Sequence, residues 1–280
     1  MIKLVADSTC NLPEHILQRH DIQIAPITIQ FGEETYEEGI DIDRALFYQK
    51  IDELGIIPTT SQPTPAAFER LYREHHALGE EVLVVTVTAK HSGTFDSATL
   101  AKSMVPEATV EVFDSGSISL GTGWMIVEAA RAADAGETLD AIVKKLEGIR
   151  ERSCLYLTPE TLKYLQMSGR VGQLQGAIAS MLNVKPIIYL VDGALEAGEN
   201  VRKRSKAIER LFELLAEHVD PQAPIHLAVI HARAAEEARE MLDRAKATFN
   251  VKEVLMDDLV ASLAVHGGPG IVGLFAYEVD

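Results

Sequence analysis

A hydroxyl-rich segment lies among three prolines in the first quarter of the chain, Pro58-Thr-Thr-Ser-Gln-Pro-Thr-Pro65. Proline lacks a backbone donor and disfavours helix at the residue before it, so the segment is predicted to be a loop of fixed shape. Its neutral hydroxyls, among them Thr60 and Ser61, suit an anionic or carbonyl group. They equally suit the capping of a helix predicted to start near Ala66.

A second candidate, Ser92, lies in Lys90-His-Ser-Gly-Thr-Phe-Asp-Ser97, between a strand-like run and a helical run. The start of a helix offers unpaired N–H groups and a positive dipole end, which favour an anion. Ser92 is interpreted either as the helix N-cap or as a donor to a ligand carboxylate, and the two roles are compatible. A nucleophile is not favoured, because the chain has no GxSxG elbow and His91 is too close in sequence to be an ordinary triad base.

The run His266-Gly-Gly-Pro-Gly270 is similar at its start to the oxyanion-hole run HGGG of esterases. In those enzymes the run precedes the nucleophile, whereas here it lies close to the C-terminus. We therefore expect its glycines to make a tight turn or to let the backbone approach a ligand. His266 either donates a hydrogen bond to a carboxylate or satisfies the turn.

No metal-ligand spacing, phosphate-binding loop or dinucleotide-binding glycine run occurs in the sequence. We therefore predict no metal, no cofactor and no catalytic residue. The net charge of −16 argues against nucleic acid and anionic lipid surfaces as partners. Cys10 and Cys154 are interpreted as two reduced thiols. With no signal peptide or transmembrane run recognised, a soluble cytoplasmic protein is expected.

The first half alternates strand-like and amphipathic helical runs, which predicts an α/β domain with a mostly parallel sheet. Asn11 and Glu14 have capping-box spacing for the first helix. Val5-Ala-Asp-Ser8 and Val112-Phe-Asp-Ser115 both end a strand with Asp-Ser. These pairs would share the sheet edge where ligands of open α/β folds bind, or would simply favour turns. The predicted elements are strands over 2–6, 81–87 and 109–113 and helices over 93–104 and 121–135.

The second half predicts an α+β domain with a mixed sheet, and the domains are predicted to span residues 1–156 and 157–280. A strand over 185–191 is followed by the turn Asp192-Gly193 and a return strand over 194–202. The other predicted elements are helices over 159–167, 176–182, 205–218 and 234–248 and strands over 226–230 and 273–279.

Six motifs in this order resemble the set found in the DegV family of bacterial lipid-binding proteins. They are Val5-Ala-Asp-Ser-Thr9, Thr60-Ser-Gln-Pro63, Ser92-Gly-Thr94, Asp114-Ser115, Ser168-Gly-Arg-Val-Gly172 and His266-Gly-Gly-Pro-Gly270. Each motif alone is weak, but the ordered set covers nearly the whole chain. The resemblance implies a two-domain DegV-like fold that buries a long-chain fatty acid. It also implies the binding subunit of bacterial fatty acid kinase, with a separate kinase subunit phosphorylating the carboxylate.

Carried over by residue, the resemblance places the carboxylate at Thr60 and Ser92, with His266 nearby and Arg170 beside the head group. Ser61 is the neighbour that sequence does not separate from Thr60. Arg202, in the basic cluster Val201-Arg-Lys-Arg204, is assigned to docking of the kinase subunit or to an exposed strand end. The protein itself is expected to be a carrier rather than an enzyme, and a monomer on its own.

Two other functions remain open at this point. One is a serine hydrolase that uses Ser92 and His266. The other is a small-molecule sensor with a ligand that is not a lipid.

Overall fold

The computed structural model describes residues 1–170 and 184–279, and their contacts form two compact units. The first unit comprises Met1–Arg150 together with Val260–Ser262. The second comprises Glu151–Leu259 and Leu263–Asp280. The domain boundary predicted after residue 156 falls inside the strand Ser153–Thr158, and it stays a prediction.

The strands and helices are numbered here in chain order. The strands are β1 (Ile2–Asp7), β2 (Gln23–Ala25), β3 (Thr28–Phe31), β4 (Glu34–Glu37), β5 (Thr59–Ser61), β6 (Glu81–Thr86), β7 (Val110–Asp114), β8 (Ser153–Thr158), β9 (Lys185–Val191), β10 (Ala194–Val201), β11 (Ile225–His231), β12 (Val251–Asp258) and β13 (Val272–Glu278). The helices are α1 (Glu14–Arg19), α2 (Arg44–Leu54), α3 (Pro65–Ala77), α4 (Thr94–Met104), α5 (Leu120–Asp134), α6 (Leu139–Arg152), α7 (Lys163–Met167), α8 (Arg204–His218), α9 (Ala235–Thr248) and α10 (Ala261–Gly267).

The first unit is built on a parallel sheet with the strand order β2-β1-β6-β7. The run Val82–Val85 in β6 is fully buried, as expected of a central strand covered on both faces. Phe68 and Tyr72 of α3 and Ala98 of α4 pack with Val84 in one apolar cluster. This confirms the predicted parallel α/β architecture of the first half.

A small antiparallel sheet with the order β4-β3-β5 also belongs to the first unit. Its strand β5 lies inside the segment that was predicted to be a loop, so that prediction is wrong for Thr59–Ser61. Ile29 of β3 pairs with Thr60, and this pairing satisfies backbone groups of an already extended chain. Pro65 then opens α3, where the side chain of Thr64 accepts a hydrogen bond from the N–H of Ala67.

The second unit is built on a mixed sheet with the order β10-β9-β8-β13-β11-β12, in which β11 and β12 are parallel and the other pairs antiparallel. The predicted β9–β10 hairpin is confirmed. Its turn residues Asp192 and Gly193 have φ values of 48° and 78°, the left-handed conformation that a two-residue hairpin turn requires. Leu211 and Leu215 of α8 are buried with Leu227 and Leu274 of the sheet.

Some local predictions fail. Asn11 does not cap α1; it has a φ of 59°, and its Oδ1 accepts a hydrogen bond from the N–H of Val260 at 2.6 Å. The helix predicted over 159–167 is confined to Lys163–Met167. The helix predicted over 176–182 lies outside the described residues.

Two further findings concern the whole described chain. Cys10 and Cys154 are both buried free thiols. Among the described helices, none combines the length and apolarity that a membrane crossing requires.

Candidate ligand-binding site

The carboxyl ends of β1, β6 and β7 lie at one edge of the parallel sheet, as the two Asp-Ser pairs predicted. Asp7, at the end of β1, accepts a hydrogen bond from the N–H of Val87 at 2.8 Å. Asp114, at the end of β7, accepts one from the N–H of Ala89 at 3.2 Å. The two carboxylates therefore hold, from both sides, the loop that follows the strand between them. We call residues 87–93 the β6–α4 loop.

Ser92 lies near the end of this loop, at the N-terminus of α4, and is half-buried. Its Oγ lies 2.8 Å from Oγ1 of Thr94 and accepts a hydrogen bond from the Thr94 N–H at 3.3 Å. The helix N-cap itself is Gly93, so the interpretation of Ser92 as the N-cap is wrong by one residue. Ser92 is thus a polar side chain at the positive end of a helix dipole.

Strand β5 brings the other predicted hydroxyls to the same loop. Gln62, the residue after β5, lies against Gly93, where an added Cβ would come within 2.7 Å of Gln62 Nε2. Thr60 and Ser61 point to opposite faces of their strand because side chains alternate along it. Thr60 is half-buried and Ser61 is exposed. The structure therefore joins the Thr60 and Ser92 segments within the first unit.

A buried carboxylate lies close to these strand ends. Glu38 accepts hydrogen bonds from the Ser8 hydroxyl at 2.5 Å, from the Ser262 hydroxyl at 2.6 Å and from the Ser262 N–H at 2.7 Å. Burial raises the pKa of the Glu38 carboxyl above its ordinary value, and these hydrogen bonds oppose the rise only in part. Burial also raises the pKa of the Asp7 carboxyl. Both acids hold backbone segments, which sequence reasoning did not foresee.

The remaining predicted site residues belong to the second unit. His266 lies in the last turn of α10 rather than in a loop, and the turn follows at Gly268 and Gly270. Gly268 has a φ of 71°, and a Cβ there would lie 2.2 Å from the Tyr164 ring. Tyr164 precedes the turn that carries Arg170, so the His266 and Arg170 segments are in contact. The Arg170 guanidinium donates to the carbonyl of Ser168 at 2.7 Å.

The two arginines of the basic cluster, Arg202 and Arg204, lie in different environments. Arg202 is exposed just after β10. Arg204 instead donates to both carboxylate oxygens of Glu237, at 3.2 and 2.5 Å, and to the carbonyls of Thr158 and Gly270. Arg204 thus ties β8, α9 and the turn after His266 together. Sequence reasoning missed this role because the pattern Val201-Arg-Lys-Arg204 shows charge but not which side chain is paired.

The Ser92 hydroxyl is bonded to its neighbour Thr94 rather than to a base in the described part of the chain. Within residues 1–170 and 184–279, both hydrogen bonds of the Ser92 hydroxyl involve Thr94, and neither involves an imidazole. An activated serine needs a base within hydrogen-bond reach. No cluster of three or more metal-ligating side chains is found among the described residues.

Comparison with known proteins agrees with this architecture. A family described as uncharacterised proteins, the DegV family, matches residues 1–279. Protein DegV of Bacillus subtilis is 34% identical over 98% of this chain and 98% of its own. The fold is similar to that of a DegV family protein from Thermus thermophilus, described as binding fatty acid (TM-score 0.90, 32% identity, 99% of each chain). It is also similar to that of B. subtilis DegV, described as a fatty acid binding protein (TM-score 0.91, 33% identity, 99% of each chain). The chain belongs to the DegV family.

Proposed function

We propose that this protein binds a long-chain fatty acid and presents its carboxylate to a separate kinase subunit for acyl-phosphate formation. The observation that carries the proposal is the half-buried Ser92 hydroxyl at the N-terminus of α4, beside the strand that bears Thr60. Relatives of known structure with 32% and 33% identity are described as binding fatty acids.

The head group meets neutral donors in this proposal. Ser92 and Thr60 donate hydroxyl protons to the carboxylate, and the helix dipole of α4 adds to the attraction. Thr60 is preferred to Ser61 because it is half-buried whereas Ser61 is exposed. Hydrogen bonds from neutral groups are weaker than those from a guanidinium, so they leave the carboxylate more of its nucleophilicity toward a phosphoryl group. His266 and Arg170 remain head-group residues by family resemblance.

The acyl tail supplies most of the affinity. Burying a saturated chain is worth about 0.8 kcal/mol per CH₂ group. A long chain therefore offers more free energy than the head group, which is left to orient the carboxylate.

Transfer to the kinase needs a recognisable surface. Arg202 is exposed and lies beside Lys203, also exposed, in a protein with a net charge of −16. Such a local basic patch suits an acidic surface of the kinase subunit. The carrier acts in the cytoplasm and is a monomer until it meets its partner.

The test is native mass spectrometry of the purified protein, followed by solvent extraction and identification of the bound molecule. We expect one long-chain fatty acid per chain, weaker retention in Ser92→Ala and Thr60→Ala, and unchanged retention in Ser103→Ala at the far end of α4. An empty protein that also ignores added fatty acids would refute lipid binding. A bound molecule without an acyl chain would instead indicate a sensor of another ligand.

The kinase step has its own measurement. The loaded protein is incubated with a fatty acid kinase subunit and Mg-ATP, and acyl phosphate is trapped with hydroxylamine as the hydroxamate. We expect hydroxamate from the complete mixture and none when either one of the two proteins is left out. Hydroxamate formation without the kinase subunit, or none with it, would contradict the proposed division of labour.

A further inference from the structure

The hydroxyl of Thr94 lies next to that of Ser92. Thr94 is fully buried, with none of its surface exposed. Among the described residues, Ser92 Oγ, 2.8 Å away, is the hydrogen-bond partner of Thr94 Oγ1. A buried hydroxyl proton without an acceptor costs about 1–3 kcal/mol. Either hydroxyl could be the donor in this pair, but only donation from Thr94 to Ser92 gives the buried Thr94 proton an acceptor among the described residues.

That direction fixes what Ser92 can do. A hydroxyl oxygen has two lone pairs and one proton. The Ser92 oxygen accepts from the Thr94 hydroxyl and from the Thr94 N–H at 3.3 Å, so both lone pairs are engaged. Its own proton is left for another acceptor, and the half-buried side chain can reach one outside the loop.

The backbone around this pair is held firmly. Asp7 and Asp114 fix the β6–α4 loop through the N–H groups of Val87 and Ala89. The Tyr72 hydroxyl donates to the carbonyl of Ala98 at 3.1 Å and ties α4 to α3. The backbone that carries the two hydroxyls is therefore held in place before a ligand arrives.

We propose that Thr94 is a positioning residue that makes Ser92 an obligate donor and so makes the site select an ionised carboxylate over an alcohol head group. This inference rests on the proposed function. A carboxylate offers only acceptors, and a donor chain from Thr94 through Ser92 strengthens along its length. An alcohol accepts more weakly, because it is neutral, and finds no free lone pair on Ser92 for its own proton.

Removal of the Thr94 hydroxyl should lower the affinity for the acid more than it changes the affinity for the alcohol. In Thr94→Val, one lone pair of Ser92 becomes available and its proton is free to rotate. We expect the affinity for hexadecanoic acid to fall about tenfold, because the bond from Thr94 no longer directs the Ser92 proton toward the carboxylate. The affinity for the alcohol of the same chain length should change by less than about twofold, because a proton of the alcohol now finds an acceptor.

The experiment measures dissociation constants for both probes by displacement of a fluorescent fatty acid. The proteins are wild type, Thr94→Val, Thr94→Ser, Ser92→Ala and the double variant with Ser92→Ala and Thr94→Val. Thr94→Ser should restore the preference for the acid. In the Ser92→Ala background, Thr94→Val should have no further effect, because Thr94 acts through Ser92. Thr94→Ala is the second hydroxyl-free variant if Thr94→Val does not fold.

Each result has one meaning. Equal losses for acid and alcohol, or a loss that adds to that of Ser92→Ala, would show that Thr94 only supports the fold and would overturn the inference. A wild type that binds the acid while Thr94→Val keeps its full preference would overturn the inference and leave the proposed function standing. A wild type that binds neither probe would overturn both.

Discussion

The Oδ2 atom of Asp7 accepts a hydrogen bond from the backbone N–H of Val87 at 2.8 Å, across 80 residues of sequence. Asp7 also accepts from the N–H of Thr9 at 3.0 Å and from the Thr9 hydroxyl. Because Asp7 is fully buried, water cannot replace these bonds. We expect Asp7→Ala to lower the free energy of unfolding by about 2–4 kcal/mol, measured by urea denaturation.

Fatty acid affinity should fall in the same Asp7→Ala variant, because the loop that carries Ser92 loses an anchor. The matched control is Asp243→Ala, which removes an exposed carboxylate on α9 and should stay within about 0.5 kcal/mol of wild type. A normal stability of Asp7→Ala would mean that the loop holds its shape without the carboxylate.

The buried Glu38 carboxyl makes stability depend on pH. Its pKa in the folded protein is raised above the ordinary value of 4.5 by burial. The group therefore favours folding fully below pH 4.5, and this contribution is lost as pH rises through the folded pKa. We expect the unfolding free energy of wild type minus that of Glu38→Gln to fall as the pH rises above 4.5 and to level off above the folded pKa, in denaturation series at fixed ionic strength.

The control for this pH series is Glu240→Gln, an exposed acid on α9, whose difference from wild type should stay flat. If the unfolding free energy of wild type minus that of Glu38→Gln grew with pH instead, folding would lower the pKa of Glu38 rather than raise it. It would mean that Ser8 and Ser262 hold the ionised carboxylate more tightly than burial disfavours it.

Two glycines with crowded Cβ positions should respond differently to alanine. At Gly123 in α5 a Cβ would lie 2.8 Å from the backbone carbonyl oxygen of Cys10 and 3.0 Å from Leu12 Cδ2. Neither neighbour can leave easily, so we expect Gly123→Ala to lower the unfolding free energy by about 1–3 kcal/mol despite its better helix propensity.

The paired variant is Gly93→Ala, where the nearest atom is the end of the exposed Gln62 side chain. That side chain can swing away, so stability should change by less than about 0.5 kcal/mol. Thermal unfolding of the two variants, measured side by side, compares their losses of stability. A larger loss at Gly93 than at Gly123 would show that Gln62 is more tightly held than its exposure indicates.

Two arginines on either side of Lys203, Arg202 and Arg204, provide the fourth prediction. Arg204 donates to Glu237 and to two backbone carbonyls, one of them of Gly270 in the turn after His266. We expect Arg204→Ala to lower the unfolding free energy by about 2 kcal/mol, a figure that allows for the partial exposure of the ion pair.

Arg202→Ala, two residues away, should leave both stability and fatty acid affinity unchanged and reduce acyl-phosphate formation with the kinase subunit. Stability is read from urea denaturation, affinity from probe displacement and turnover from hydroxamate yield. Loss of affinity in Arg202→Ala would place this side chain in the ligand site or the fold rather than in partner docking.

The sequence predicted the elements whose conformation is decided locally. Asp192 and Gly193 specify their hairpin because a two-residue turn needs left-handed conformations that these residue types tolerate. The buried run Val82–Val85 likewise identifies a central strand by its own apolarity. The parallel arrangement of the strands in the first half followed from their alternation with helices.

The predictions that failed concern residues whose partners are distant in sequence. Asn11 has the spacing of a helix cap, yet it bonds the N–H of Val260, 249 residues away. Thr60 is in a strand only because β3 pairs with it. Thr94 was visible in its motif, but its effect on Ser92 depends on its burial and on one hydroxyl contact, neither of which a spacing reveals.

The inclusion of Val260–Ser262 in the first unit bears on how the chain matures during synthesis. Residues 1–150 leave the ribosome long before the hydrogen-bond partners of Asn11 and Glu38 have been made. At about 5–20 residues per second, the wait is on the order of ten seconds. Throughout that time the nascent chain carries the Glu38 carboxylate without the serine and amide donors of Ser262. The first unit is thus synthesised early but completed late, and a chain cut short before residue 260 would lack the contacts that finish it.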